Sequence, residues 1–250
     1  MSKVVFITGA SSGFGSALAK LYAENGDAVA LIARRKERIE SLADSIVAAG
    51  GTAIALPCDV TVREQVHEAV KLCEAQLGPV DLLIANAGVA HRTRARNFDA
   101  EAVKKTFDVN LFGAVYCFEA VLPGMIERDR GHLVGISSLA GYRGVPGAVA
   151  YCSSKAALNN MMESLRVELY KTNVNVTTIC PGYVKTEMTA EVETPMPFLL
   201  ELDDAAKRIY RAINRTKTEY AFPWPMAFLT RFARYVPNAI YDRLVGHFSI

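Results

Sequence analysis

Short unbroken apolar runs alternate along the chain with stretches whose apolar residues recur every three or four positions. Val4–Thr8 is the first such run, β-branched and aromatic, and it predicts a strand buried on both faces. Phe14, Leu18, Leu21 and Tyr22 then recur at helical spacing, predicting a helix over 13–25 that stops at Gly26. Ala28–Ala33 reads as strand again, and Ile39, Leu42 and Ile46 form one face of a helix over 36–49, closed by Gly50-Gly51. Strands are expected at Thr52–Pro57 and 80–85, on either side of a helix over 62–76. Buried strands alternating with amphipathic helices predict an α/β fold, a parallel sheet covered on both faces.

The second half keeps this rhythm. A long helix should run through Phe107 and Phe118, followed by a strand from Leu133 to Ser137 and a helix over 151–170. A sixth strand is expected at 174–179, before Pro181-Gly182, then a helix carrying Ala206, Ile209, Tyr210 and Ile213, and a short strand at Tyr220-Ala221-Phe222. No repeat, low-complexity tract or linker divides the 250 residues, so a single domain over 1–250 is expected.

Composition narrows the function classes. The apolar share is 51% and the charged share 22%, ordinary for a soluble globular protein. Net charge is +2, from 28 basic and 26 acidic residues, which gives no reason to expect nucleic acid as a partner. Five cysteines without Cys-x-x-Cys spacing suit small core residues in a reducing compartment. The apolar run after Lys3 is too short for a secretory leader, and no stretch approaches the roughly 20 apolar residues of a membrane span. A cytoplasmic location is the expectation. The histidines His67, His91, His132 and His247 are scattered without ligand spacing, so no metal site is expected. His91 opens a basic run through Arg96 that reads as a solvated loop.

Chemistry concentrates between Ser138 and Lys155. Tyr151 and Lys155 are four residues apart, which stacks phenol and ammonium on one helical face. Ser138 ends the apolar strand thirteen residues upstream of the tyrosine. Taken alone, the pair also fits a surface tyrosine beside a solvated lysine. A second motif changes the balance: the first strand runs into Thr8-Gly9-Ala10-Ser11-Ser12-Gly13-Phe14-Gly15 and then a helix. Glycines there let the backbone turn sharply and approach a pyrophosphate at the helix N-terminus, although the spacing departs from Gly-x-Gly-x-x-Gly.

Thr8-Gly-x-x-x-Gly-x-Gly15, Asn86-Ala87-Gly88, Asn110, Ser138, Tyr151-x-x-x-Lys155 and Pro181-Gly182 stand in one order and at separations that together resemble the short-chain dehydrogenase/reductase family. The likeness is strong over 3–188 and weaker beyond. It implies a Rossmann-type doubly wound parallel sheet of about seven strands in the order 3-2-1-4-5-6-7, helices on both faces, and a homodimer or homotetramer. It implies that Gly9, Gly13 and Gly15 shape a phosphate loop with Ser11, Ser12 and Phe14 in contact. Asp59-Val60 would flank the adenine, Asn86-Ala87-Gly88 would support the sheet near the ribose, and Val184 and Thr186 after Pro181-Gly182 would meet the carboxamide. Ala85 stands where the family often has a further asparagine. Tyr151 would be the acid/base, Lys155 would lower its pKa and hold the ribose, Ser138 would orient the carbonyl, and Asn110 would anchor a proton relay.

Cofactor choice follows from charge. NAD-binding sites place an acid after the second strand for the ribose hydroxyls. Ala33 stands there, followed by Arg34-Arg35-Lys36, and guanidiniums suit a 2′-phosphate. NADP(H) is therefore expected over NAD(H), with Arg34 as main contact and Arg35 beside it. A non-catalytic cofactor-binding sensor or scaffold of the same fold is the alternative; an epimerase or dehydratase would need a further substrate domain.

The segment 183–202 should form the substrate loop. Met188, Val192, Pro195, Met196, Pro197, Phe198, Leu199 and Leu200, with Tyr142, Val145 and Tyr183, suggest a lipophilic or bulky carbonyl or alcohol substrate. From Pro223 onward (223–250) the tail is apolar on most sides, with Trp224, Phe228, Leu229, Phe232, Tyr235, Ile240, Leu244 and Phe248. Such a helix must be covered by something: the substrate cleft as a lid, a second subunit, or a membrane surface through a peripheral contact.

Overall fold

The first strand, β1 (Val4–Thr8), sends Val4 and Phe6 to one face of the sheet and Val5 and Ile7 to the other, and both sets are buried. The structure is a computed structural model that describes residues 2–190 and 195–246. Its remaining strands are β2 (Ala28–Ala33), β3 (Thr52–Pro57), β4 (Leu82–Ala85), β5 (Gly131–Ile136), β6 (Val174–Pro181) and β7 (Glu219–Phe222). All pairings are parallel, in one seven-stranded sheet of order β3-β2-β1-β4-β5-β6-β7.

The order reverses between β1 and β4, which leaves a crevice at the C-terminal ends of the strands. Helices α1 (Gly13–Glu24), α2 (Lys36–Ala48) and α7 (Leu202–Asn214) bury Leu18, Tyr22, Ile39 and Ile209 against one face. On the other face α3 (Arg63–Leu77), α5 (Gly113–Glu127) and α6 (Val149–Glu168) bury Val70, Phe118, Met125 and Leu158. Several boundaries differ from the pattern, most by one or two residues, and β5 begins at Gly131 and ends at Ile136 rather than running from Leu133 to Ser137. β4 starts at Leu82 rather than 80, α6 starts at Val149 rather than 151, and β6 runs on to Pro181.

The expected long helix is continuous from Ala100 to Glu127 but not regular. It is α4 (Ala100–Phe107), a π-helical turn at Asp108–Phe112, and α5. At 28 residues it is long and apolar enough to cross a membrane by composition, contrary to the expectation that no stretch would be. Its apolar side chains Ala114, Cys117, Phe118, Val121 and Met125 are nevertheless packed in the core beside β4 and β5.

The tail is two short helices, α8 (Trp224–Ala233) and α9 (Asn238–Gly246), separated at Pro237. α8 turns Ala227 and Met226 onto Leu139 and Cys180, and leaves Trp224, Phe228, Leu229 and Phe232 exposed. Val192 of the expected substrate loop, and His247 and Phe248 of the tail, lie outside the described residues.

Candidate active site

The loop between β1 and α1 is shaped by what its glycines allow. Gly9 has φ +66 and Gly13 φ +55, a region that L side chains rarely adopt. A Cβ at Gly15 would lie 2.3 Å from the Gly9 carbonyl oxygen, so the first turn of α1 can seat on the loop only as glycine. Asn86 closes the other side. Its backbone N–H and that of Ala87 donate to Thr8 Oγ1 (2.9 and 3.0 Å), and its Nδ2 donates to Thr8 O at 2.8 Å. The Asn-Ala-Gly segment thus ties the ends of β1 and β4 together.

Across the crevice, Ser138 follows β5. Its Oγ accepts from Ala140 N at 3.1 Å and donates to Pro181 O at 3.5 Å, holding the end of β5 to that of β6. Ser137, expected only to end a strand, donates its hydroxyl to Lys155 O at 3.1 Å and so pins α6 to β5. Thr93, inside the basic run, is fully buried and accepts from Ala150 N at 2.9 Å, satisfying a free donor at the start of α6. Arg92, Arg94 and Arg96 beside it are exposed, as a solvated loop requires.

Lys155 is buried, and its Nζ donates to Ile136 O at 2.8 Å and stands 5.8 Å from the centre of the Tyr151 ring. Burial lowers the Lys155 ammonium to about 8. It raises the Tyr151 phenol above its ordinary value, while the hydrogen bond with Ser138 acts in the opposite direction. With the chain's own groups alone, burial disfavours both charges and sets the direction at each group.

Asn110 is central to the π turn and buried. Its Oδ1 accepts from Val89 N at 2.7 Å, and its Nδ2 donates to Val89 O and Ser154 Oγ, both at 3.0 Å. A Cβ on Gly88 would sit 3.4 Å from Asn110 Oδ1 and 3.6 Å from Lys155 Nζ, so these three residues meet at one point.

A cleft of about 610 Å³ joins the two halves, a size suited to a cofactor with part of a substrate. Gly9, Ser11, Ser12, Gly13, Phe14, Arg34, Arg35, Asp59, Val60, Asn86, Ala87 and Gly88 line it together with Ser138, Tyr151, Lys155, Pro181, Gly182, Val184 and Thr186. Gly15 and Asn110 stand behind this lining, as supports. Arg34 pairs with Asp59 at 3.8 Å, whereas Arg35 reaches the glycine loop after β1, its Nη2 2.7 Å from Ser12 Oγ. The third cation of the run turns away: Lys36 pairs with Glu40 along α2 at 3.7 Å.

Residues 3–197 match the sequence model of the short chain dehydrogenase family. The chain belongs to the short-chain dehydrogenase/reductase family. It is 45% identical over 240 residues to an uncharacterised oxidoreductase of Myxococcus xanthus (strain DK1622), covering 96% of this chain and 95% of that one. Among solved structures, a short-chain dehydrogenase/reductase from Burkholderia phymatum in complex with NAD aligns with TM-score 0.87 at 25% identity, covering 94% of this chain and 93% of the other. The closed form of a serine dehydrogenase complexed with NADP+ aligns with TM-score 0.79 at 28% identity, covering 88% and 94%. The protein is an oxidoreductase of this family, with the sheet order its likeness implied.

In this short-chain dehydrogenase, the cleft wall also includes His91, Val109, Glu187 and Thr189, none of which the sequence had marked as a site residue, while Met188, expected in the substrate loop, lines it as well. His91 Nδ1 lies 3.0 Å from Thr106 Oγ1. Glu187 follows directly on Thr186 in the chain, and that adjacency was the available signal. Among the described residues, no group of His, Cys, Asp or Glu side chains gathers as a metal site.

Proposed function

We propose that the chain is an NADP(H)-dependent oxidoreductase that interconverts a carbonyl and an alcohol, on a lipophilic or bulky substrate. The observation that carries this reading is the convergence of Ser138, Tyr151 and Lys155 on the cleft that the phosphate loop also lines. The glycine cradle fits a dinucleotide, since a Cβ at Gly9 or Gly15 would crowd it against Asn86. When bound, the nicotinamide would supply or accept the hydride and, oxidised, would add positive charge beside the phenol.

The chain's own groups then have distinct work. Tyr151 passes its phenolic proton to the substrate oxygen or takes one back. Ser138 is already within hydrogen-bonding reach of Tyr151 and orients the same oxygen. Lys155 holds ribose hydroxyls and stabilises the phenolate when charged. Asn110, bonded to Val89 and Ser154, keeps the π turn open and anchors the proton relay. The preference for the 2′-phosphate is supported by the missing acid at Ala33 and by Arg34 and Arg35 on the cleft wall. Met188, Phe198 and Leu199, exposed on the loop after β6, support an apolar substrate. Five free, buried cysteines suit a reducing, cytoplasmic setting, and residues 1–250 would work as one unit. The exposed apolar face of α8 would be covered by a second copy of the chain.

The test is Tyr151→Phe. With NADPH and a panel of long-chain and polycyclic ketones and aldehydes, turnover should fall on the order of a thousandfold or more. NADPH affinity, followed by fluorescence titration, should stay near that of the wild type. A variant that keeps substantial activity defeats the mechanism.

A further inference from the structure

Glu187 begins the short turn Glu187–Thr189 after β6, and its two carboxylate oxygens go to different arginines. Oε2 accepts from Arg35 Nη1 at 3.0 Å and Oε1 from Arg38 Nη1 at 2.7 Å. Arg35 is also committed to the phosphate loop, donating Nε and Nη2 to Ser11 Oγ at 3.0 and 2.8 Å, and Nη2 to Ser12 Oγ at 2.7 Å. One guanidinium therefore bridges the loop after β1 and the turn after β6. The two segments also approach at Gly13, where a Cβ would lie 3.8 Å from Thr186 Cγ2.

The other charges nearby have local partners. Arg34 faces Asp59 at 3.8 Å, and Lys36 faces Glu40 one turn along α2. Arg35 and Arg38 differ, because their anion comes from across the cleft. We propose that Glu187 is a cofactor-specificity residue, competing with the 2′-phosphate of NADP(H) for Arg35 and Arg38. This rests on the NADP(H) reading above. A phosphate monoester is close to a dianion at neutral pH and takes guanidinium donors in the same fork that a carboxylate does. Two anions over the same cations repel each other, so binding of the phosphate weakens the hold of Arg35 and Arg38 on Glu187, and the reverse. NAD(H), which lacks the phosphate, leaves Glu187 in place and the turn tied to the phosphate loop.

Protonation does not release the carboxylate under working conditions: its hydrogen bonds to Arg35 and Arg38 hold it at about 2. A stronger anion or a mutation is needed. All three side chains are about half exposed, so the competition is a several-fold effect and not an absolute block.

The experiment is calorimetric titration of the full chain, wild type and Glu187→Gln, with NADPH, NADH, adenosine 2′,5′-bisphosphate and 5′-AMP. Glu187→Gln should tighten NADPH and the bisphosphate by roughly three- to tenfold, with NADH and 5′-AMP changing by less than about twofold. Glu187→Asp, which keeps the charge, should stay closer to wild type than the glutamine variant does. If the wild type prefers the 2′-phosphorylated ligands and the ratio does not rise in Glu187→Gln, competition is overturned and the NADP(H) reading stands. An equal gain for all four ligands overturns it too, since that is a loop effect blind to the phosphate. If both proteins prefer the unphosphorylated ligands, the NADP(H) reading fails and takes this inference with it.

Discussion

Gly15 has less freedom than any motif would suggest. A Cβ there would meet Gly9 O at 2.3 Å, Gly9 C at 2.7 Å and Asn86 Nδ2 at 2.8 Å, two of them backbone atoms that cannot swing aside. Gly15→Ala should therefore lose about 1–3 kcal/mol in a denaturant melt, the cost of overpacking, and bind NADPH at least about tenfold more weakly. Gly144→Ala is the control, since an added Cβ there meets nothing within 4 Å and the stability should stay within about 0.5 kcal/mol. Equal melts for the two variants would remove Gly15 from the scaffold of the site. At this scale the sequence carried residue identity well and direction poorly. Spacing aligned Ser138, Tyr151 and Lys155, because a helical repeat and a strand end set their positions. It did not reveal that Arg35 rather than Arg34 lies on Ser11 and Ser12, since that depends on how the chain leaves β2. Nor did it reveal that Thr93 caps the helix that carries Tyr151 and Lys155, a contact between residues 57 positions apart.

Elements were legible where burial is uniform. The inner strands of the sheet read directly from their apolar runs because they are covered on both faces, whereas the edge strands β3 and β7 are only partly buried. The irregular turn at Asp108–Phe112 did not, since a π turn leaves the apolar periodicity of a long helix almost intact. The tail is a different case: its apolar residues call for a cover, and within the single chain α8 and α9 stay on the surface. Arg143 explains how they stay docked. Its Nη1 donates to Ala233 O and to Val236 O (2.8 Å for the latter), its Nη2 donates to Asn238 Oδ1 at 3.0 Å, and the guanidinium stacks 3.8 Å from the Tyr241 ring centre. Tyr241 returns a bond from its hydroxyl to Gly144 O at 2.8 Å, and Glu219 accepts from both Tyr142 and Arg231. The stretch between Ser138 and Tyr151 is thus strapped to the tail. Arg143→Met removes a charged donor of three bonds while keeping the stem, so amide exchange over 224–246 should quicken roughly tenfold. Exchange in β1 to β6 should not change. Unaltered protection in the tail would show that packing of Met226 and Ala227 alone holds it.

For the whole molecule, the two faces of the sheet are fully used, so the remaining apolar surface has to find its cover outside the chain. Trp224, Phe228, Phe232 and Tyr235 are 78%, 68%, 57% and 82% exposed. At about 200 Å² per aromatic side chain they present roughly 570 Å². Leu229, Ile240 and Leu244 extend that surface, which carries it past the largest patch on a typical monomer and toward the roughly 800 Å² per partner of a standard interface. Phe228 and Phe232 lie with rings nearly parallel, 6.3 Å apart, on the outward side of α8. A two-fold axis through that helix would bury both sets of rings in one self-complementary contact. Sedimentation equilibrium of the wild type should then give a dimer or tetramer at micromolar concentration. Phe228→Asp with Phe232→Asp should shift it toward a smaller species, because burying two carboxylates on each side costs far more than the rings contribute. NADPH binding should survive, since neither ring lines the cleft. A wild type that stays monomeric, yet pellets with phosphatidylserine vesicles through the same phenylalanines, would assign this face to a membrane instead. The distinction bears on the candidate site, because α8 packs on Leu139, the residue after Ser138.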